Sequence, residues 1–412
     1  MPDRRATVRW PGAGRIAGFA GAALLAVGLV SCGPKPDTNV TSNLRAPIAR
    51  APIPPNPDAL AHRGEIVSVD VGARYAPELV DAAGEVKRAV YRSTSGVTGR
   101  PVNVGGIFAV PRGAPPDGGW PLVSVGHATT GLDHGCGPSL RPDLMGYTST
   151  LVGLLGTGFA VAMSDYEGLD DEGTHAYLEP YSAAYNLIDA TRAATRLFSD
   201  VSSRWAAMGG SQGGQSAWAA NEMDETYGDG LTMVGAMALA PAVNVVEMAE
   251  LAYRGELTAE QQGVWPLVVV GVQRAGLLPS TAPYLRGAAD PTQPGFLGCA
   301  EQDTWLRSGL DADAMRPDSV EATEAMERAL QLMAMPQRSL GVPMAVINGT
   351  QDQVVLPSWV DYSVKLSCGL GGDIQHVELS QADHDQGYPD EDILNWLVAR
   401  FAGEPTESNC GD

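Results

Sequence analysis

The sequence predicts an α/β fold with a mostly parallel central sheet and a helical insertion. Three observations carry that prediction. Short apolar segments of strand character alternate with segments of helical period along most of the chain. A Gly-x-Ser-x-Gly turn, Gly209-Gly-Ser211-Gln-Gly213, joins one such strand to one such helix. Residues 245–337 then break the alternation and read as helices separated by Pro-rich loops.

In chain order, the amino terminus is a targeting segment. Arg4, Arg5, Arg9 and Arg15 precede an uncharged run over residues 16–30. The run is shorter than the ~20 residues of a membrane-spanning helix and has secretory proportions. It ends in Leu29-Val-Ser-Cys32, which resembles the bacterial lipobox. Residues 1–31 are therefore expected to be a lipoprotein signal peptide and Cys32 the lipidated mature terminus; an ordinary cleaved signal is the competing reading. Residues 32–59, with Pro34, Pro36, Pro47, Pro52, Pro54, Pro55 and Pro57, are expected to be an extended, solvated tether whose last third has the option of packing on the domain.

Residues 60–244 and 338–412 are expected to form the α/β core. Strands are predicted over 86–93, 102–110, 121–125, 159–163, 205–208, 232–239, 344–347 and 376–379. The apolar spacing Ala184, Leu187, Ile188, Thr191, Ala194 suits a helix laid on a sheet, and a helix is expected to start at about Gln215. Within 245–337, helices are predicted over 246–253, 265–277 and 320–335, and the insertion reads as a lid or cap. Val264, Trp265, Leu267 and Val268 are expected there either as walls of an apolar tunnel or as ordinary core.

Composition narrows the function. The chain has 412 residues, a formal charge of −21, 18% charged residues, 49 Gly and 30 Pro. That balance suits a turn-rich globular protein and repels phosphate backbones, so no nucleic-acid partner is expected. Loss of residues 1–31 removes four arginines and one aspartate and leaves the mature chain more acidic. No Cys-x-x-Cys, His-Glu-x-x-His or P-loop pattern occurs, so neither a metal nor an organic cofactor is expected. Five cysteines cannot all pair. With Cys32 taken by lipid, Cys136, Cys299, Cys368 and Cys410 are left to form two disulfides, in any of three connectivities.

The chemistry rests on the glycine turn. In a strand–turn–helix context, Gly-x-Ser-x-Gly is a nucleophile elbow: the turn is tight, Gly209 and Gly213 supply the space, and the serine Oγ projects at a helix amino terminus. Ser211 is thus the candidate nucleophile. A serine hydroxyl needs a histidine to take its proton and a carboxylate to orient that histidine. In α/β-hydrolases these follow in the order Ser, acid, His. Asp352 and His384 fit, each just beyond a predicted strand and so at the same sheet edge as Ser211. Asp361, Asp383 and Asp385 are rival acids, the last two expected to be solvated. His376 is expected within a strand; His62, His134 and His175 precede Ser211 and so stand on the wrong side for this order. The oxyanion hole requires two backbone N–H groups. Gln212 is the first candidate; the second is Thr129, ahead of Ala128, in the loop Gly126-His-Ala-Thr-Thr-Gly131, where His127 reads as a buried structural residue.

His127-Ala-Thr-Thr-Gly131, Cys136-Gly-Pro-Ser139, Ser164-Asp-Tyr-Glu-Gly168 and Gly173-Thr-His-Ala-Tyr-Leu178, together with the elbow, resemble the secretory lipase family over roughly residues 65–410. The resemblance implies an α/β-hydrolase fold, a triacylglycerol lipase or related carboxylesterase, and a helical lid between nucleophile and acid. It also implies the pairings Cys136–Cys299 and Cys368–Cys410. Ala128 replaces the usual glycine of the His-Gly loop and Gly137 a frequent alanine, while Asp165 and Tyr166 are expected to support the site from behind.

The expected function is extracytoplasmic hydrolysis of small-molecule or lipid esters by a membrane-anchored serine enzyme through an acyl-enzyme. A peptidase or amidase on the same fold, or a non-catalytic lipid- or partner-binding lipoprotein, is the alternative.

Overall fold

A computed structural model describes residues 44–170, 173–299, 307, 309–385 and 388–411. The expected signal segment and Cys32 lie outside them. Nine strands form one sheet in the order β1-β2-β3-β5-β4-β6-β7-β8-β9. They are β1 Ile66–Asp70, β2 Ala83–Thr94, β3 Pro101–Pro111, β4 Trp120–Gly126, β5 Ala160–Ser164, β6 Val201–Gly210, β7 Thr232–Leu239, β8 Met344–Gly349 and β9 Ile374–Leu379. Strands β1, β2, β3 and β5 pair antiparallel. From β5 through β4, β6, β7 and β8 to β9 every pairing is parallel. The carboxyl ends of these parallel strands therefore share one edge.

Helices cover both faces of the sheet. They are α1 Pro57–Ala61, α2 Pro77–Ala82, α3 Thr148–Thr157, α4 Pro180–Leu197, α5 Gln212–Tyr227, α6 Met248–Arg254, α7 Ala259–Arg274, α8 Ala312–Met315, α9 Val320–Gln331, α10 Pro357–Gly369 and α11 Asp390–Ala402. Strand side chains alternate between two apolar layers, as the period of two requires. Leu122 and Ala207 pack in the layer of α4 and α5, with Leu187 and Trp218. Val123, Val125 and Met208 pack in the opposite layer, with Leu151 and Leu154 of α3 and Leu397 of α11. Both faces of the central strands are buried, which accounts for their continuous apolar character.

The insertion carries α6 to α9. Helix α7 begins at the cap Thr258, whose hydroxyl accepts the Gln261 N–H while the Gln261 side chain accepts the Thr258 N–H. Its start precedes the expected one, because Pro266 inside the helix is accommodated. Trp265, Leu267 and Val268 are buried, Trp265 with its indole N–H on Met315 O (3.0 Å). Among the described residues no helix is long and apolar enough to cross a membrane.

From residue 44 to α1 the segment expected to be a tether runs extended along the domain, with many of its side chains exposed and several hydrogen bonds to it. Ile48 N–H donates to Gln331 O and Arg50 N–H to Gln337 Oε1, both at 2.9 Å. The Tyr181 hydroxyl donates to Arg50 O (2.6 Å), and the Arg50 guanidinium pairs with buried Glu179. The prolines hold the backbone extended, and the polar groups between them find partners at the start of α4, at the end of α9 and on Gln337 beyond it.

Candidate active site

Ser211 sits between β6 and α5 with φ 54° and ψ −116°, a conformation outside the ordinary range of a β-carbon-bearing residue. Its backbone is locked in place: Ser211 N–H donates to Leu239 O (2.9 Å), and Ser211 O accepts from Gln215 and Ala242. The flanking glycines are required by contact. A Cβ on Gly209 would stand 2.5 Å from Gly126 O, and one on Gly213 would overlap the same oxygen. Gly210, by contrast, has only Leu239 O near, at 3.9 Å.

The other two expected residues converge on this serine. His384 Nε2 lies 2.9 Å from Ser211 Oγ, and His384 Nδ1 lies 2.7 Å from Asp352 Oδ2. The second Asp352 oxygen accepts the N–H groups of Val354 (2.8 Å) and Val355 (2.9 Å), so the carboxylate is fully buried and fixed. The loops bearing acid and histidine are stitched together: Thr350 N–H donates to Leu379 O, and Gln351 N–H to Ala382 O. Burial works against the His384 imidazolium, but the Asp352 bond and the charges of Asp352, Asp385 and Glu260 outweigh it and raise its pKa. The rival acids lie elsewhere. Asp361 is bound to Lys365 (2.7 Å), and Asp383 and Asp385 are exposed. His376 meets Asn348 Oδ1 (2.7 Å), and His62 and His134 are exposed.

The oxyanion candidates are held by their side chains. Thr129 Oγ1 lies 2.7 Å from the Tyr177 hydroxyl, and Gln212 Nε2 donates to His175 Nε2 (2.8 Å). Ala128 N–H is committed to the Tyr147 hydroxyl at 2.6 Å, which favours Thr129 over Ala128 as the second donor. His127 is wholly buried; burial pushes its pKa down to about 4, so it is neutral and packs against Tyr166. His175 is the residue that chain-order reasoning set aside. It is buried, its Nδ1–H donates to Glu167 O (3.1 Å), and burial pulls its pKa down to about 3. The only sequence signal for it is the word Gly173-Thr-His-Ala-Tyr.

Behind the loop, Asp165 accepts the Ser139 N–H (2.8 Å) and hydroxyl. Burial raises its pKa to about 7 although both Ser139 bonds oppose this. A Cβ on Gly137 would fall 2.7 Å from Asp165 Cγ, which explains why glycine stands there. The Tyr166 hydroxyl donates to His127 O (3.1 Å). Disulfides join Cys136 to Cys299 and Cys368 to Cys410. Among the described residues no group of three or more His, Cys, Asp or Glu side chains is placed to hold a metal.

The model of the secretory lipase family matches residues 145–276, which include the elbow but neither Asp352 nor His384. No curated protein matches in sequence at a significant level. Candida antarctica lipase A in its closed state superposes with a TM-score of 0.65 at 17% identity, over 86% of this chain and 86% of that one. The rice cell wall degrading esterase LipA from Xanthomonas oryzae superposes with a TM-score of 0.64 at 17% identity, over 82% of this chain and 96% of that one. The chain has the α/β-hydrolase fold of these enzymes and is similar to the secretory lipases, by their family model across the nucleophile elbow and by architecture across most of its length.

Proposed function

We propose that the protein is an extracytoplasmic serine hydrolase of carboxylic esters, a lipase or carboxylesterase. The observation that carries this reading is the continuous relay Ser211 Oγ–His384–Asp352, with bonds of 2.9 and 2.7 Å, on a strained elbow. The family match and the lipase and esterase neighbours support an ester hydrolase. Two disulfides suit an oxidising compartment.

In this mechanism Ser211 Oγ attacks the ester carbonyl carbon while its proton passes to His384 Nε2. Asp352, on Nδ1, holds the ring and stabilises the imidazolium. The Gln212 and Thr129 N–H groups take the charge that develops on the carbonyl oxygen. His384 returns the proton to the departing alkoxide, leaving an acyl-Ser211. Water, deprotonated by His384, then attacks that acyl group; the acyl–Oγ bond breaks, His384 returns the proton to Ser211 Oγ, and the carboxylic acid leaves. Residues 245–337 act as the lid over a lipid acyl chain, and the lipid on Cys32 keeps the enzyme at the cell envelope, beside small-molecule or lipid ester substrates.

An organophosphonate probe tests the nucleophile: it should label the wild-type protein and not Ser211→Ala, and equal labelling of both would overturn the assignment. Turnover of p-nitrophenyl esters of graded length and of emulsified triglycerides, set against aminoacyl-anilides, tests the substrate class. Cleavage of the anilides alone would replace the esterase with a peptidase.

A further inference from the structure

One short segment touches both proposed oxyanion donors. Gln212 opens α5, and Thr129 lies far upstream in the loop after β4. Nothing in the relay itself sets their separation. Yet Gln212 Nε2 donates to His175 Nε2 (2.8 Å), and the Tyr177 hydroxyl lies 2.7 Å from Thr129 Oγ1. His175 and Tyr177 are two residues apart in the same buried segment.

We infer that His175 and Tyr177 are positioning residues that set the spacing and aim of the oxyanion hole, an inference that rests on the serine-hydrolase reading above. The hydrogen-bond polarity is fully determined at His175. A carbonyl oxygen, Glu167 O, faces Nδ1 at 3.1 Å, so Nδ1 carries the proton and Nε2 presents a lone pair to the Gln212 amide. The ring is neutral at all working pH values, because burial disfavours its cation. The clamp therefore acts as a fixed strut and does not exchange protons with substrate.

The segment is itself immobilised from two sides, by Tyr166 and by α7. The His175 ring stacks on Tyr166, centroids 5.8 Å apart, and the Tyr166 hydroxyl donates to His127 O in the oxyanion loop. From the insertion, Arg274 of α7 donates to Leu132 O (2.7 Å) and His175 O (3.3 Å). Helix α7 also lies against Tyr177 at Gly271, where a Cβ would come 2.7 Å from Tyr177 Cβ and overlap its carbonyl oxygen. Such contacts give a preorganised hole, whose donors pay no reorganisation when charge appears. They also place the insertion one contact from the catalytic electrostatics. A donor displaced by about 1 Å costs on the order of a hundredfold in rate.

The experiment compares Tyr177→Phe, His175→Ala, His175→Gln and Gly271→Ala with wild type in the full-length protein. Thermal melts first establish folding. Tyr177→Phe should lower kcat roughly tenfold and His175→Ala roughly a hundredfold, with KM changed by less than about threefold. His175→Gln, whose amide offers both an acceptor and a donor, should recover part of the loss. A trifluoromethyl ketone of matched chain length, which places an oxyanion in the hole, should bind more weakly in proportion to the fall in kcat/KM. Gly271→Ala should show the same kcat-weighted loss, without altering any group of the relay. Phosphonate titration should still count one reactive Ser211 per molecule in every variant. Folded Tyr177→Phe and Gly271→Ala proteins with wild-type kcat and unchanged ketone affinity would overturn the inference alone. A wild-type enzyme that takes no phosphonate at Ser211 would overturn the underlying reading, and the inference with it.

Discussion

The proposed nucleophile half and the proposed acid–base half of the site are built by different means. Five consecutive residues make the first: Gly209, Gly210, Ser211, Gln212 and Gly213, crowded against the backbone of Gly126 and held by Leu239 O. The second joins residues 32 apart on two loops, which are held by cross-loop hydrogen bonds and by two N–H groups on Asp352. Backbone crowding at Gly209 and Gly213 tolerates no added atom, so those two positions are edited only at the expense of the fold. Hydrogen bonds are lost one at a time, so the second half is edited at the expense of rate. That difference is what experiments on this protein are able to break.

Asp352→Asn should have the largest effect of a change that leaves the fold intact, about 10⁴ in kcat, because an amide facing Nδ1 favours the wrong histidine tautomer. Steady-state kinetics and an unchanged circular dichroism spectrum check it together. Gly213→Ala should act the other way round: the new methyl meets Gly126 O and C and His127 O, all backbone atoms. We expect about 1–3 kcal/mol of destabilisation in urea unfolding, with activity lost in parallel.

The pH profile gives a third and smaller effect. The proposed mechanism needs neutral His384, whose pKa in the folded protein is raised, so kcat/KM should fall as pH drops through a midpoint above histidine's ordinary ~6.5. Asp352→Asn should move that acid limb downward. Stability runs oppositely. A raised folded pKa means the protonated ring favours the folded state, so this contribution is complete below the unfolded value and is lost as pH rises through the folded one. Coincident rises of activity and of His384-dependent stability with pH would contradict the assignment. The smallest effect belongs to Gly210→Ala, inside the same elbow. Its Cβ would find only Leu239 O, at 3.9 Å, so stability should stay within ~0.5 kcal/mol of wild type, in contrast to Gly213→Ala.

Much of this was legible in the chain. The central strands announce themselves because both faces are buried, and the elbow because three of its five residues are glycine. Strand–loop placement and chain order point to Asp352 and His384 as candidates, and the structure brings both to Ser211. What escaped reading did so for physical reasons. Strand β1 lies at the sheet edge with Val67 and Val69 exposed, so its apolar alternation points to water and carries no core signal. Helix α3, Thr148–Thr157, buries Leu151, Leu154 and Leu155 but is rich in threonine and glycine, and its face is poorly marked. The hydrogen bonds made by Ile48 and Arg50 are not legible in a proline-rich segment, because their partners, Gln331 and Gln337, come from nearly three hundred residues away. Chain-order rules describe who moves protons, and they are silent about a buried histidine such as His175 that meets the Gln212 side chain.

The proposed mechanism requires an acyl group carried by one serine, and acid-quenched turnover of a p-nitrophenyl ester followed by peptide mass spectrometry looks for it directly. The acyl mass should appear on the peptide containing Ser211, accumulate further when deacylation is slowed at low pH, and be missing from Ser211→Ala. Sustained turnover by Ser211→Ala, or an acyl group on another residue with Ser211 unmodified, would contradict the mechanism.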